Sequence, residues 1–200
     1  MATSITADMV KALRQATGAP ILECRNALEE TAGDVEKAAT LLRERGIAAA
    51  EERAGRETRN GMLELYSHGG GRVGVIVEVN CETDFVARTK EFRALAHEIA
   101  LQIAGAQPLY LDAGDVPPEV VEEQREKARK QALEEGEPAA VVDKIVEGRL
   151  SKYHDEVCLL RQPYVRDESK TVTELLKEAI AATGENITIR RFVRWTVGEA

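Results

Sequence analysis

The chain has 200 residues, 27 Lys plus Arg against 35 Asp plus Glu and a net charge of −8, room for one or two domains that bury roughly 70% of the unfolded surface without metals or disulfides. Its 44% hydrophobic and 31% charged content, with 15 Gly and 6 Pro, excludes collagen-like, low-complexity and wholly disordered classes. The acidic balance withholds the field that supplies most non-specific nucleic-acid affinity, and nothing approaches the roughly 20 consecutive apolar residues of a membrane span.

The N-terminus reaches Asp8 and Lys11 without an apolar segment, so no secretory leader is expected. Three distant cysteines, Cys24, Cys81 and Cys158, suit free thiols in a cytoplasmic protein. Residues 1–50 read as three short helices. Thr6 caps the first, with Met9, Leu13 and Ala16 on one face and Gly18 as its stop. Pro20 opens the second, with Ile21, Cys24 and Leu28 along its buried stripe and Leu22 turned outward. Asp34 caps the third, where Val35, Ala38, Ala39 and Leu42 form the stripe and Gly46 the end. Helices this short are marginal alone and must pack on one another. Residues 51–60 then act as a linker, a hinge or exposed helical stretch, to a core domain spanning 61–200.

Within that core the period changes to two. Leu63 and Leu65 alternate with polar neighbours, Gly69, Gly70 and Gly71 supply a turn, and Val73, Val75, Val77 and Val79 form one strongly apolar strand face. Phe92, Leu95, Ala96, Ile99 and Ile103 make a helical stripe wide enough to cover it. Residues 117–154 read as a solvated helical hairpin, with Glu123–Lys127 and Glu126–Lys130 pairs and a break at Gly136 and Pro138. Thr171 and Glu174 form a capping box ahead of a last helix that Gly184 ends. The final strand places Ile187, Ile189, Val193, Trp195 and Val197 on one side and Thr188, Arg190, Phe192, Arg194 and Thr196 on the other. The fold class is therefore α+β: a three-helix module, then a three-stranded antiparallel sheet covered by helices, with a helical hairpin inserted.

Catalytic chemistry is not evident. His68, His97 and His154 have no metal-ligand spacing, and His97 reads as structural. The three glycines at 69–71 lie between strands and lack the Lys-Ser/Thr ending of a phosphate loop. No enzyme activity, metal or cofactor is expected. The stretch Asn80-Cys81-Glu82-Thr83-Asp84-Phe85-Val86-Ala87-Arg88 leaves a strand and can start a helical turn. Locally, Thr83 or Asp84 as N-cap with Phe85 tucked beneath accounts for all of it.

That same stretch closely resembles the Thr-Asp-Phe signature of the bacterial elongation factor Ts family. The likeness continues, in order, in Val10-Lys11-Ala12-Leu13-Arg14, Thr17-Gly18-Ala19, Glu23-Cys24, Gly33-Asp34, Tyr66, His68, Gly71-Arg72-Val73-Gly74-Val75, Gln162-Pro163-Tyr164-Val165, Ser169-Lys170-Thr171-Val172 and Asn186-Ile187-Thr188-Ile189-Arg190-Arg191. Where many members carry Gly-Met-Met after Thr-Gly-Ala, this chain has Pro20-Ile21-Leu22, stiffer side chains in place of flexible Met. It resembles the short members with one core module. The resemblance implies a ubiquitin-associated-like N-terminal module and a guanine nucleotide exchange factor that binds elongation factor Tu, GDP-bound or nucleotide-free, during translation elongation. It implies partner contacts at Arg14, Ile21 and Leu22 in the module and at His68, Asn80, Thr83, Asp84 and Phe85 in the core. Asp84 and Phe85 would then disturb the partner's magnesium and phosphate site. The competing class is a ubiquitin-associated-like adaptor without exchange activity, which leaves Thr83-Asp84-Phe85 unused. No direct nucleic-acid or membrane partner is expected. A homodimer is, because a three-stranded sheet has exposed edges and the last strand, with Phe192 and Trp195, has apolar side chains to bury.

Overall fold

A computed structural model describes residues 5–199; residues 1–4, part of the segment read as no secretory leader, and residue 200 lie outside the described residues. Helix α1 (Ala7–Thr17) begins where Met9 N–H donates to Thr6 Oγ1 at 3.3 Å and ends at Gly18, left-handed at φ 70°. Next come α2 (Ile21–Glu30) and α3 (Val35–Arg53), the latter opened by Lys37 N–H donating to the Asp34 carboxylate at 3.0 Å. Leu13, Cys24, Ala27, Leu28, Ala38 and Leu42 bury one another as a small core of their own.

Four positions in this module correct the expectation. Ala16, near the end of α1, and Val35, the first residue of α3, are exposed rather than part of the buried stripes. Ile21 is 59% exposed; as the first residue of α2 it overhangs the buried stripe, which consists of Cys24, Ala27 and Leu28. Nor does α3 stop at Gly46. A Cβ there would stand 2.9 Å from the Ala181 Cβ, so the glycine serves a close helix approach rather than a helix end. The helix runs on to Arg53 and carries Ala50 into the core of the sheet layer, which makes residues 51–53, the start of the expected linker, helix and not hinge.

The chain continues through β1 (Asn60–His68), β2 (Val73–Cys81), the single turn α4 (Asp84–Ala87) and α5 (Lys90–Ala106). An arm of α6 (Pro118–Glu134) and α7 (Ala139–Val157) follows, then a small ladder of β3 (Pro163–Tyr164) with β4 (Asp167–Thr171), which sequence periodicity misses because both strands are short and largely polar. Last come α8 (Val172–Thr183), opened by the Thr171/Glu174 capping box and closed by Gly184, and β5 (Ile187–Thr196). In the arm, Ala128, Ala132, Val142 and Val146 pack together. Its basic side chains reach across the arm, Arg125 to Glu147 at 2.8 Å and Arg129 to Asp143 at 2.9 Å. The expected Glu123–Lys127 and Glu126–Lys130 pairs are not among the ion pairs of the described residues.

The main sheet is antiparallel in the order β1-β2-β5. Val75, Val77, Val79 and Cys81 of β2 and Ile187 and Ile189 of β5 meet Phe92, Leu95, Ala96, Ile99 and Ile103 of α5 and Val172 and Ile180 of α8. Among the described residues the opposite face is uncovered. On β1 the residues turned to the core are Met62 and Tyr66, paired with Val79 and Val75, while Leu63 and Leu65 face outward. Both faces of β1 are apolar, so alternation alone does not choose between them; the register with β2 does. In β5, Val79 pairs with Ile189 but Glu78 with Arg191, leaving Arg190 as the extra residue of a bulge. The bulge reverses the alternation beyond it. Phe192 therefore packs on the core, and Val193 and Trp195 join the open face, correcting the single face expected for Ile187 through Val197.

Candidate functional site

Strand β2 ends on buried Cys81, and its chain must turn at once to enter α4. Thr83 caps that turn, its Oγ1 accepting Val86 N–H at 3.4 Å. The Thr83 amide and hydroxyl both donate to the Glu185 carboxylate, at 3.0 and 2.6 Å. One residue earlier, Glu82 Oε1 accepts Asn186 N–H at 2.6 Å, and Asn60 Nδ2 donates to the Glu82 carbonyl at 2.7 Å. The Cys81 thiol donates to the Thr83 carbonyl at 3.1 Å; burial first and then the Glu185 charge push that thiol up to about 11. The turn is thus held by polar bonds on every side.

What it holds out is Phe85, 79% exposed. The aromatic is not tucked beneath the turn, because α4 is a single turn that sets Val86 and Ala87, not Phe85, half-buried against the core. Asp84 lies beside it and pairs with Arg88 at 2.8 Å. A large rigid aromatic and a carboxylate therefore share one exposed, braced turn, the combination that serves recognition of a concave polar site.

The other sequence-predicted residues divide into two groups. Asn80, at the end of β2, donates to Glu78 at 3.1 Å; that bond, with Arg191 at 2.7 Å, holds the Glu78 carboxyl below the ordinary carboxylate range. Arg14 of α1 lines, with Val86 and Thr89, a cleft of about 590 Å³ that joins the module to the braced turn. Ile21 and Leu22 stand exposed side by side at the start of α2. His68 is elsewhere. It occupies the far end of the hairpin, paired with Val73 while Asn60 pairs with Cys81, about 27 Å from the turn at the usual rise of a strand. There its Nδ1 lies 3.1 Å from the Tyr66 hydroxyl, and Tyr66 stacks edge-on to His97, which holds Glu64 at 2.9 Å. His97 is structural as expected, at the surface.

Sequence reasoning missed the bracing pair Glu185 and Asn186 as site residues. The available signal was two polar residues between the Gly184 helix stop and a buried strand; Asn186 is 2% exposed and donates to the carbonyls of Ala54 and Arg56. Among the described residues no group of three His, Cys, Asp or Glu side chains converges on a metal-sized site, and no helix is long and apolar enough to cross a membrane.

Comparison with known proteins gives one answer. Residues 10–199 match the family model described as Elongation factor TS. The chain is 58% identical over 195 residues to Elongation factor Ts of Coprothermobacter proteolyticus, covering 98% of this chain and 99% of the relative. It is 57% identical to Elongation factor Ts of Carboxydothermus hydrogenoformans, covering 98% and 90%, and 58% identical to that of Caldanaerobacter subterraneus subsp. tengcongensis, covering 98% of each.

Proposed function

The chain belongs to the elongation factor Ts family, and from that premise we propose that it binds elongation factor Tu in its GDP form and promotes GDP release in the cytoplasm. The observation that carries this reading is Phe85, exposed on a turn that Glu185 and Asn186 brace. An aromatic held out in water is a standing cost that burial in a partner removes, worth about 1.5–3 kcal/mol by area alone. Residues 1–50 act as the recognition module, with Arg14, Ile21 and Leu22 as its contacts, while Asp84 and Phe85 enter the nucleotide site. A divalent cation neutralises the charge of a bound diphosphate; a carboxylate and an aromatic that rearrange its surroundings weaken the nucleotide's hold without forming or breaking a covalent bond.

The test is release of fluorescent GDP from elongation factor Tu with the chain at substoichiometric concentration. Each chain should discharge many partners, and the Asp84→Ala, Phe85→Ala double variant should lose most of that acceleration while remaining folded. If the chain binds without turnover, it acts as the ubiquitin-associated-like adaptor instead; if the double variant matches the parent, the turn is not the exchange element.

A second copy of the chain is the proposed occupant of the open sheet face. Leu65 and Trp195 are 69% and 63% exposed there, with Leu63, Ile76 and Val193 around them. On the same face Glu78 lies between Arg191 at 2.7 Å and Arg190 at 3.9 Å, so a two-fold copy meets apolar surface whose one carboxylate is paired, with a single positive charge left over for the solvated rim. Phe192, turned to the core, takes no part. A stable interface of this kind buries on the order of 1,600 Å².

A further inference from the structure

We propose that Glu185 is a positioning residue for nucleotide exchange: it fixes the direction in which Asp84 and Phe85 leave the surface. The inference rests on the reading of that turn as the exchange element. Helix α4 has only Asp84–Ala87, of which Val86 and Ala87 lie half-buried against the core, so apolar packing seats one side of the turn and leaves its capped end, with Asp84 and Phe85, to polar bonds. That capped end is held by the loop between α8 and β5, about a hundred residues later in the chain. Both Glu185 carboxylate oxygens are used, Oε2 by the Thr83 amide at 3.0 Å and Oε1 by the Thr83 hydroxyl at 2.6 Å. Because the hydroxyl gives its proton to Glu185, its lone pairs face Val86 N–H and complete the cap. Such charge-assisted bonds are shorter and stronger than neutral ones.

The brace is reciprocal. Residues 82 and 83 face residues 185 and 186: Glu185 accepts from Thr83, and Glu82 accepts from Asn186 N–H at 2.6 Å. Asn186 is anchored in turn on the Ala54 and Arg56 carbonyls at 3.4 and 2.8 Å, and Arg56 reaches Glu82 at 3.4 Å. Asn186 anchors backbone, whereas among the described residues Glu185 hydrogen-bonds only to the cap of the exchange turn and to the neighbouring Thr183 hydroxyl, to which its amide donates at 3.4 Å. Removing the Glu185 side chain therefore loosens the capped end of the turn while leaving the buried core, with Val86 and Ala87 against it, intact.

The experiment is stopped-flow release of fluorescent GDP from elongation factor Tu across a range of chain concentrations, which separates the plateau rate from the half-saturating concentration. Glu185→Ala should lower the plateau about tenfold, since misplacing a reacting group by an ångström carries penalties of that order or more. Half-saturation, set mainly by the module, should move less than about twofold. Glu185→Gln keeps one acceptor oxygen for the amide and should recover most of the plateau, a rescue that general destabilisation does not give. Thr83→Val removes the hydroxyl from the other side and should reproduce the Glu185→Ala plateau, so the inference stays testable even if Glu185→Ala folds poorly. Adding Glu185→Ala to the Asp84→Ala, Phe85→Ala variant should change nothing further. If the Asp84, Phe85 variant is slow but Glu185→Ala and Thr83→Val keep the parental plateau, or slow it additively, Glu185 does not act through the turn. If the Asp84, Phe85 variant itself matches the parent, the reading of the site fails, and this inference with it.

Discussion

Replacing Gly46 with Ala sets two effects of similar size against each other. In an exposed helix interior Gly→Ala stabilises by about 0.8–1.0 kcal/mol. At position 46 the new Cβ would meet the Ala181 Cβ at 2.9 Å, well inside the roughly 3.5–4.0 Å at which carbon atoms pack best. Ala181 has no side-chain rotamer to swing aside, so α3 and α8 must part by most of an ångström, and overpacking of that kind costs about 1–3 kcal/mol. The contact should win, for a net loss of about 1 kcal/mol and a melting temperature lower by about 2–4 °C in a chain of this size. Gly148 supplies the control. It lies in α7 with nothing within 4 Å of its would-be Cβ, so Gly148→Ala should gain close to the full propensity term and raise the melting temperature by a similar amount. Circular-dichroism melts of the two variants beside the parent decide the matter. If Gly46→Ala stabilises as Gly148→Ala does, the close approach of α3 to α8 is not real, and the module is not docked through it.

Three further outcomes are expected. The folded Cys81 thiol sits at about 11 against an ordinary 9.0, so the folded chain keeps a proton that the unfolded chain gives up above pH 9; this contribution is whole below pH 9 and is lost as pH rises towards 11, on the order of 2 kcal/mol. Cys81→Ala should thus flatten denaturant stability against pH over that window, and parallel curves for variant and parent would contradict the assignment. Trp195→Asp should leave the far-ultraviolet spectrum unchanged but bring the mass by sedimentation equilibrium from twice 21.9 kDa to 21.9 kDa; a monomeric parent removes the proposed dimer. Saturating GDP should weaken binding of the chain to elongation factor Tu by the same factor by which the chain weakens GDP, because coupling is reciprocal, and calorimetry showing equal affinity with and without GDP excludes exchange by this route.

Local chemistry announced itself at the helix ends, though not in the i, i+4 pairs expected along the arm. Thr6, Asp34 and Thr171 cap the helices they should, Gly18 and Gly184 end them, and the Phe92 to Ile103 stripe is buried as its spacing requires. Several of the expectations that failed concern pairings between distant segments. Gly46 has the look of a helix stop, yet its reason for being glycine is Ala181, distant in sequence. Nothing inside β5 reveals the bulge at Arg190, since a bulge is a property of two strands and their register. Phe85 offered the same ambiguity: a capped turn can hide an aromatic or display it, and here the side of α4 that meets the core carries Val86 and Ala87. Glu185 escaped notice because a lone carboxylate after a helix is ordinary until its partner, Thr83, is seen opposite.

The two proposed binding patches share one mount. Gly46 and Gly18 bring the module against Ala181 and Ala182 of α8, and the loop that ends α8 carries Glu185 to the Thr83 turn. Rigidity between them matters to the proposed mechanism. A module that docks through Ile21 and Leu22 gains free energy whether or not the nucleotide is present, and such uniform binding cannot by itself loosen GDP. Only the part of the interaction that differs between the GDP-bound and nucleotide-free partner does so. A soft turn would bend around the magnesium and phosphate site and leave it intact, making the two states equal in affinity. A braced turn presses Phe85 and Asp84 against that site at a position fixed by the docked module, so the GDP state alone carries the strain. On this reasoning Gly46 and Glu185 affect different observables: loosening the module should raise the concentration needed for half-maximal exchange, whereas loosening the turn should lower the rate reached at saturation.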